Sequence, residues 1–328
     1  MNFDRNIPFN INIKNYKGVF NMNNLKKIGL TALAGSLIAG SVNAADLSVS
    51  GGVSINLTGL DSGEHSGNGF TQSDSVNFSA SGDVNDMTVT FSYEIDNGAE
   101  DDHSISLDMG DAGTLTFAGH GQSSALSAVD DVMPTAKEEP WDVVTGADAG
   151  IINGNAQNNS FKYTYSHDSG ATFTAYYVNA SATGTAVSYS DLAIDYTGVE
   201  NLRIGYAAGT TEATAGTEIE EDTMYAVYTM GGLSLGVQVS EADSSAAGAD
   251  TESTGYGISY QVSDDLAISY GGHEIEYATG DDQEASAVGI SYTMGSMGIS
   301  ATMSKVDNVA NASATDRTSY EAGIVFNF

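Results

Sequence analysis

The feature that most constrains this chain is a period of two that recurs along nearly its whole length. Leu47, Val49, Val53, Ile55 and Leu57 alternate with Ser48, Ser50, Ser54, Asn56 and Thr58, and Met87, Val89, Phe91, Tyr93 and Ile95 repeat the pattern. It returns at Phe161–Tyr165, Leu192–Tyr196, Leu233–Val239 and Leu266–Tyr270, and ends at Tyr320, Ala322, Ile324, Phe326 and Phe328. Successive side chains of a strand point to opposite faces, so strict alternation predicts half-buried strands. Sixteen such runs are found. The fold class is therefore all-β. Composition agrees: only 16% of residues are charged, against about 25% in typical soluble domains, with 38 Gly, 3 Pro and 17 Tyr. With no Cys there is no disulfide framework and no thiolate metal site.

Between the runs, short and long connections alternate. Seven are tight and rich in Gly, Asp and Ser: 82–86, 110–113, 167–170, 197–201, 231–232, 263–265 and 295–296. Eight are longer: about 59–72, 96–102, 120–159, 179–186, 209–222, 240–253, 273–285 and 305–317. An even number of antiparallel strands with turns at one end and loops at the other predicts a transmembrane β-barrel. The expectation is a 16-stranded antiparallel barrel with short periplasmic turns and eight external loops. Closure satisfies every strand edge, which hydrocarbon would otherwise leave unpaired. At this strand number the interior holds an aqueous channel.

The N-terminus reads as an address. Lys26 and Lys27 precede a twelve-residue apolar stretch, Ile28–Ala39, and Val42-Asn43-Ala44 supplies small residues for cleavage. That layout predicts a secretory signal peptide over 22–44, with residues 1–21 an N-terminal extension ahead of the true start at Met22. The barrel domain then spans 45–328.

The net charge of −33 argues against nucleic-acid binding, which needs basic patches. Most acids fall in the long connections. Asp46, Glu94, Asp108, Asp191, Asp195 and Glu321 fall on the polar face of strands, and Asp74 on the apolar face. A charge on the lipid side is costly, so the six are expected on a wet inner wall. Strand parity aims Lys162, Arg203 and Arg317 at the same wall. The acid pairs Asp101–Asp102 and Asp281–Asp282 are weak Ca²⁺ candidates, because neither follows the EF-hand spacing. No other cofactor is expected.

The signal peptide, the sixteen runs, the single long loop after the fifth run and the Phe-terminated end together resemble the Gram-negative general porins of the alphaproteobacterial type. The resemblance implies a homotrimeric outer-membrane diffusion channel for small hydrophilic solutes and ions. It implies that Tyr320, Phe326 and Phe328 form the signal read by the barrel-assembly machinery, and that outer-membrane lipid surrounds the barrel. It also implies that the third loop, 120–159, folds into the pore as a constriction bearing Asp130, Asp131, Glu138, Glu139, Asp142 and Asp148. Trp141 and two prolines, Pro134 and Pro140, lie in the same loop. Such channels oppose loop carboxylates to a cluster of basic wall residues. With five basic groups in 45–328 a dense cluster is impossible here. An acidic pore is expected to favour cations.

Three other functions are open to an all-β chain of this composition. A substrate-specific channel would need an aromatic track or binding cluster inside, whereas most Tyr fall on the apolar face. A secreted acidic β-solenoid or adhesin would show a short fixed repeat, and none occurs. An enzyme would need a nucleophile or metal motif; neither G-x-S-x-G nor H-E-x-x-H is present.

Overall fold

The computed structural model describes residues 46–60, 69–129, 132–150, 158–179, 188–212 and 217–328. The expected extension 1–21 and signal peptide 22–44 lie outside the described residues. The strands are β1 (Asp46–Leu60), β2 (Phe70–Val84), β3 (Met87–Asp96), β4 (Ala99–Asp108), β5 (Thr114–His120) and β6 (Ser160–Ser166). They continue as β7 (Ala171–Val178), β8 (Ser188–Val199), β9 (Leu202–Glu212), β10 (Glu218–Met230) and β11 (Leu233–Ser244). The last five are β12 (Thr251–Ser263), β13 (Leu266–Tyr277), β14 (Gln283–Met294), β15 (Met297–Asp307) and β16 (Arg317–Asn327). Each pairs antiparallel with its sequence neighbours, and β1 pairs with β16, so the sheet is a closed barrel. Gly51 and Phe328 exchange backbone hydrogen bonds of 2.9 and 3.0 Å where the ends meet.

The sixteen expected runs become the sixteen strands. The apolar set faces outward: Leu47, Val49, Phe91, Ile194, Val237 and Ile290 are all exposed, as a lipid-facing belt requires. Asn85 and Asp86, with φ of 50° and 63°, make the β2–β3 turn, and Gly231 (φ 61°) and Gly295 (φ 62°) open others. Positive φ in two-residue hairpins matches the right-handed strand twist, which is why Asn, Asp and Gly stand there.

Several of the long connections are shorter than expected, while 120–159 and 179–186 keep their length. Residues 96–102 form a two-residue turn, Asn97–Gly98, rather than a loop. Strand also reaches far into 209–222, 240–253 and 273–285. All the acids there stand on strands except Asp250, Asp281 and Asp282. Continuing the apolar parity upward, Glu212, Glu218, Glu220, Asp222, Glu241, Asp243, Glu252, Glu274, Glu276, Glu284 and Asp307 project from the outer face above the apolar belt. Many face one another directly: Glu212–Glu218, Glu220–Asp243, Asp222–Glu241, Glu241–Glu252, Glu252–Glu276, Glu274–Glu284 and Glu284–Asp307. This acidic collar runs along β9–β15.

Candidate functional site: the inner wall and the loop that crosses it

The connection between β5 and β6 folds into the barrel. Its first limb places Ala125, Leu126, Val129, Val132 and Met133 against Tyr176, Val178, Tyr189, Ala193, Ala207 and Tyr225 of β7–β10, forming the largest apolar cluster among the described residues. Further on, Val144 packs with Ala285, Val306 and Val309. The loop thus follows the inner wall from β7 round to β15.

A row of small residues accommodates it. Gly236 faces Gly257, Gly257 faces Gly271, Gly271 faces Ala287, Ala287 faces Ser304 and Ser304 faces Ser319. A β-carbon at Gly236 would collide with Pro134, at Gly257 it would lie 2.8 Å from the Pro134 carbonyl oxygen, and at Gly271 it would lie 3.2 Å from Pro140 Cγ. Absent side chains make a groove, and the two stiff prolines lie in it. Nothing in the alternation marks this row, because it occupies the polar face, where Gly and Ser are interchangeable in the pattern.

Wall side chains then bind the loop backbone. The Asp191 carboxylate, 3% exposed, accepts Ala125 N–H (3.1 Å), Leu126 N–H (2.7 Å) and the Tyr189 hydroxyl (3.0 Å). Gln238 Nε2 donates to Val129 O (2.8 Å), and Ser269 Oγ accepts Ala136 N–H (2.8 Å). Gln283 accepts Asp148 N–H (2.9 Å) and donates to Asp148 O (2.7 Å). Arg317 donates to Thr145 O. Burying backbone amides is tolerable only when they are paired, and these partners do it.

The expected site residues divide accordingly. Asp130 and Asp131 lie outside the described residues. Trp141 is buried, its ring 4.4 Å from that of His273. Glu139 is buried as well, and its N–H donates to Asp142 Oδ2 (3.1 Å). Asp148 is an anchor, accepting the Tyr277 hydroxyl (3.1 Å) and Gly150 N–H (3.2 Å). Asp142 is exposed. Glu138 pairs with Lys137. Burial raises the Glu138 carboxyl above the usual carboxylate range; the Lys137 ion pair opposes this, while the like charges of Asp142 and Glu321 add to it. Ala136 and Lys137 lie against Gly289 of β14, and Thr302 links Gly289 to Glu321 in one cross-strand row, so the charge of Glu321 reaches Glu138 along the same wall.

Not every expected wall acid faces open water. Asp191 is covered by the loop, because parity assigns a side chain to the inner face but says nothing of what lies over it. Asp195 binds Arg203 (2.7 Å) and the Tyr225 hydroxyl. Asp108 Oδ1 accepts Gly110 N–H (2.9 Å) at a turn. Asp46 is exposed at the first residue of β1, Glu94 stands on β3, and Glu321 Oε2 accepts the Thr58 hydroxyl (3.5 Å). The basic groups are all engaged: Arg203 also lies over the Tyr225 ring (5.2 Å), Arg317 holds the loop, and Lys162 donates to Ser123 O (3.3 Å). Glu221, inside the connection expected over 209–222, is a buried inner-wall residue of β10. Asp281 and Asp282 lie between β13 and β14, where Asp282 accepts Tyr277 N–H (3.4 Å). Asp101 and Asp102 come together with His120, which sequence spacing gave no reason to include. Tyr320, Phe326 and Phe328 are exposed on or just beyond β16.

A family profile described as Gram-negative porin matches residues 29–328. No curated protein matches the sequence. Among solved structures, the fold resembles an anion-selective porin from Comamonas acidovorans (TM-score 0.68, 15% identity, covering 87% of this chain and 100% of that one). It also resembles OmpT, an outer membrane protein of Vibrio cholerae, in its trimer form (TM-score 0.67, 16% identity, 87% and 99%). A triple mutant of Rh. blastica porin is similar too (TM-score 0.63, 14% identity, 86% and 100%). At these identities the likeness is one of fold.

Proposed function

Since the chain belongs to the Gram-negative porin family, and is thus an outer-membrane channel rather than an enzyme, we propose that its pore passes small hydrophilic solutes by passive diffusion and selects cations. The observation that carries the selectivity is how the charges are used. Arg203, Arg317 and Lys162 are each committed to an acceptor on the wall or the loop. Glu94, Glu321 and Asp142 have no cationic partner among the described residues, and Glu138 is offset by Lys137 alone. Inward carboxylates without matching cations lower the energy of a cation in the lumen and raise that of an anion. The Comamonas protein shares the barrel and is anion-selective, so in this reading the side chains, not the fold, set the sign.

In this reading Glu138 and Asp142 on the loop and Glu321 on the wall line the constriction. We further propose a homotrimer, as in the trimer form of the Vibrio protein, surrounded by outer-membrane lipid. In the same reading the chain is exported by the 22–44 segment and recognised for assembly through Tyr320, Phe326 and Phe328.

Reversal potentials in a KCl gradient test the proposal. Cation preference is expected, and Glu138→Gln with Glu321→Gln reduces it. Anion preference in the unmodified channel refutes the reading.

A further inference from the structure

The extracellular ends of β3, β4 and β5 carry two irregularities side by side. Tyr93 faces His103 and Ile95 faces Glu100, so Asp101 and Asp102 together stand opposite Glu94. On the other edge His103 faces His120 while Ser104 faces Ala118, which leaves Gly119 as an extra residue. Neighbouring strand residues normally point to opposite faces, and a bulge is what re-aims them. Here one carboxylate oxygen from each of Asp101 and Asp102 and one ring nitrogen of His120 lie within 4.8 Å of one another. Gly121, at φ +75°, leaves the room that the Asp102 carboxylate occupies.

We propose that this cluster is a binding site for a divalent transition-metal cation of the Zn²⁺ type, ligated by Asp101, Asp102 and His120. It lies apart from the constriction and goes beyond the channel function. Two features besides charge point to a metal. First, His120 Nδ1 donates to the Asp101 carbonyl oxygen, which leaves Nε2 as the nitrogen with a free lone pair; metal-binding imidazoles are held this way. Second, the donors need little rearrangement. Ligands about 2.0–2.2 Å from a tetrahedral ion stand roughly 3.4 Å apart, so side-chain rotation closes the gap. Water completes the coordination from a 280 Å³ cavity that Asp102 and His120 line together with Glu94, His103 and Lys162. His103 is tied to Glu100 (2.7 Å) and is not counted as a ligand, and Lys162 is held by Ser123 O. The imidazole decides the metal class. Ca²⁺ asks for six to eight oxygens, whereas one nitrogen and two carboxylates suit a borderline ion.

Isothermal titration of the full-length detergent-solubilised protein with ZnCl₂ tests it. Titrating in about 1 M KCl, where the Debye length is about 3 Å, suppresses diffuse binding to the acidic collar. One saturable equivalent per chain is expected. His120→Ala and Asp102→Asn should each weaken it at least about tenfold, while both variants retain the heat-modifiable gel migration of a closed barrel. CaCl₂ in excess should leave the isotherm unchanged. No saturable uptake, unchanged affinity in His120→Ala, or equal competition by Ca²⁺ overturns the proposal.

Discussion

Asp191→Ala is the substitution from which most is expected. The side chain is nearly inaccessible, and its two carboxylate oxygens accept the N–H groups of Ala125 and Leu126 and the hydroxyl of Tyr189. Alanine leaves both amides buried without an acceptor. A buried unsatisfied N–H costs about 1–3 kcal/mol, so the seated first limb loses roughly 2–6 kcal/mol relative to an unseated one in which water hydrates both groups. At about 1.4 kcal/mol per decade, that shifts the equilibrium between about thirtyfold and about twenty-thousandfold towards the unseated limb. The sheet hydrogen bonds are untouched, so the barrel itself should keep its thermal midpoint. Limited proteolysis of the folded channel, with cleavage sites read by mass spectrometry, measures the effect. Cleavage within 121–133 should accelerate in Asp191→Ala, with single-channel records showing more frequent closures. Asp191→Asn, which keeps one acceptor oxygen, should fall between. Equal protection of the limb in Asp191→Ala and the parent would refute the claim that Asp191 holds the loop.

Two further outcomes are expected. Facing carboxylates in the collar repel, and cross-strand like charges destabilise a sheet. The heat-modifiability midpoint should therefore rise as KCl is raised from about 0.01 M to about 1 M, where the Debye length falls from about 30 Å to about 3 Å; Glu241→Gln with Glu252→Gln should flatten that response, and a salt-independent parent argues against repulsion. Gly257→Leu should drive the Pro134 segment off the wall towards the pore axis, lowering single-channel conductance and costing about 1–3 kcal/mol through overpacking. Gly82→Ala, where a β-carbon meets nothing within 4 Å, serves as its control.

The strands were legible because lipid on one side and water on the other impose alternation residue by residue. The same logic fails at three places, each for a physical reason. Above the apolar belt both faces are polar, so Glu220 and Asp222 carry no signal that separates strand from loop, although they continue the parity of Met224. On the inner face, parity cannot distinguish a side chain in open water from one beneath the loop, which is why Asp191 and Glu321 look alike in sequence and differ in the fold. His120 joins Asp101 and Asp102 only through two bulges, and a bulge is a register shift that the apolar pattern of β4 and β5 does not record.

Strand length has a consequence of its own. β5, β6 and β7 hold 7, 7 and 8 residues, while β9–β15 hold 11 to 13. At about 3.3–3.4 Å per residue, the sheet is roughly 10–20 Å shorter along its strands on one side than on the other. The rim of the sheet is thus a cup with one lowered lip, and the acidic collar is the outside of its high side. A solute that comes in over the low lip travels beside less strand than one that follows the high wall. The path length through the sheet therefore depends on the side of approach, and so does the strength of the acidic field met on the way in.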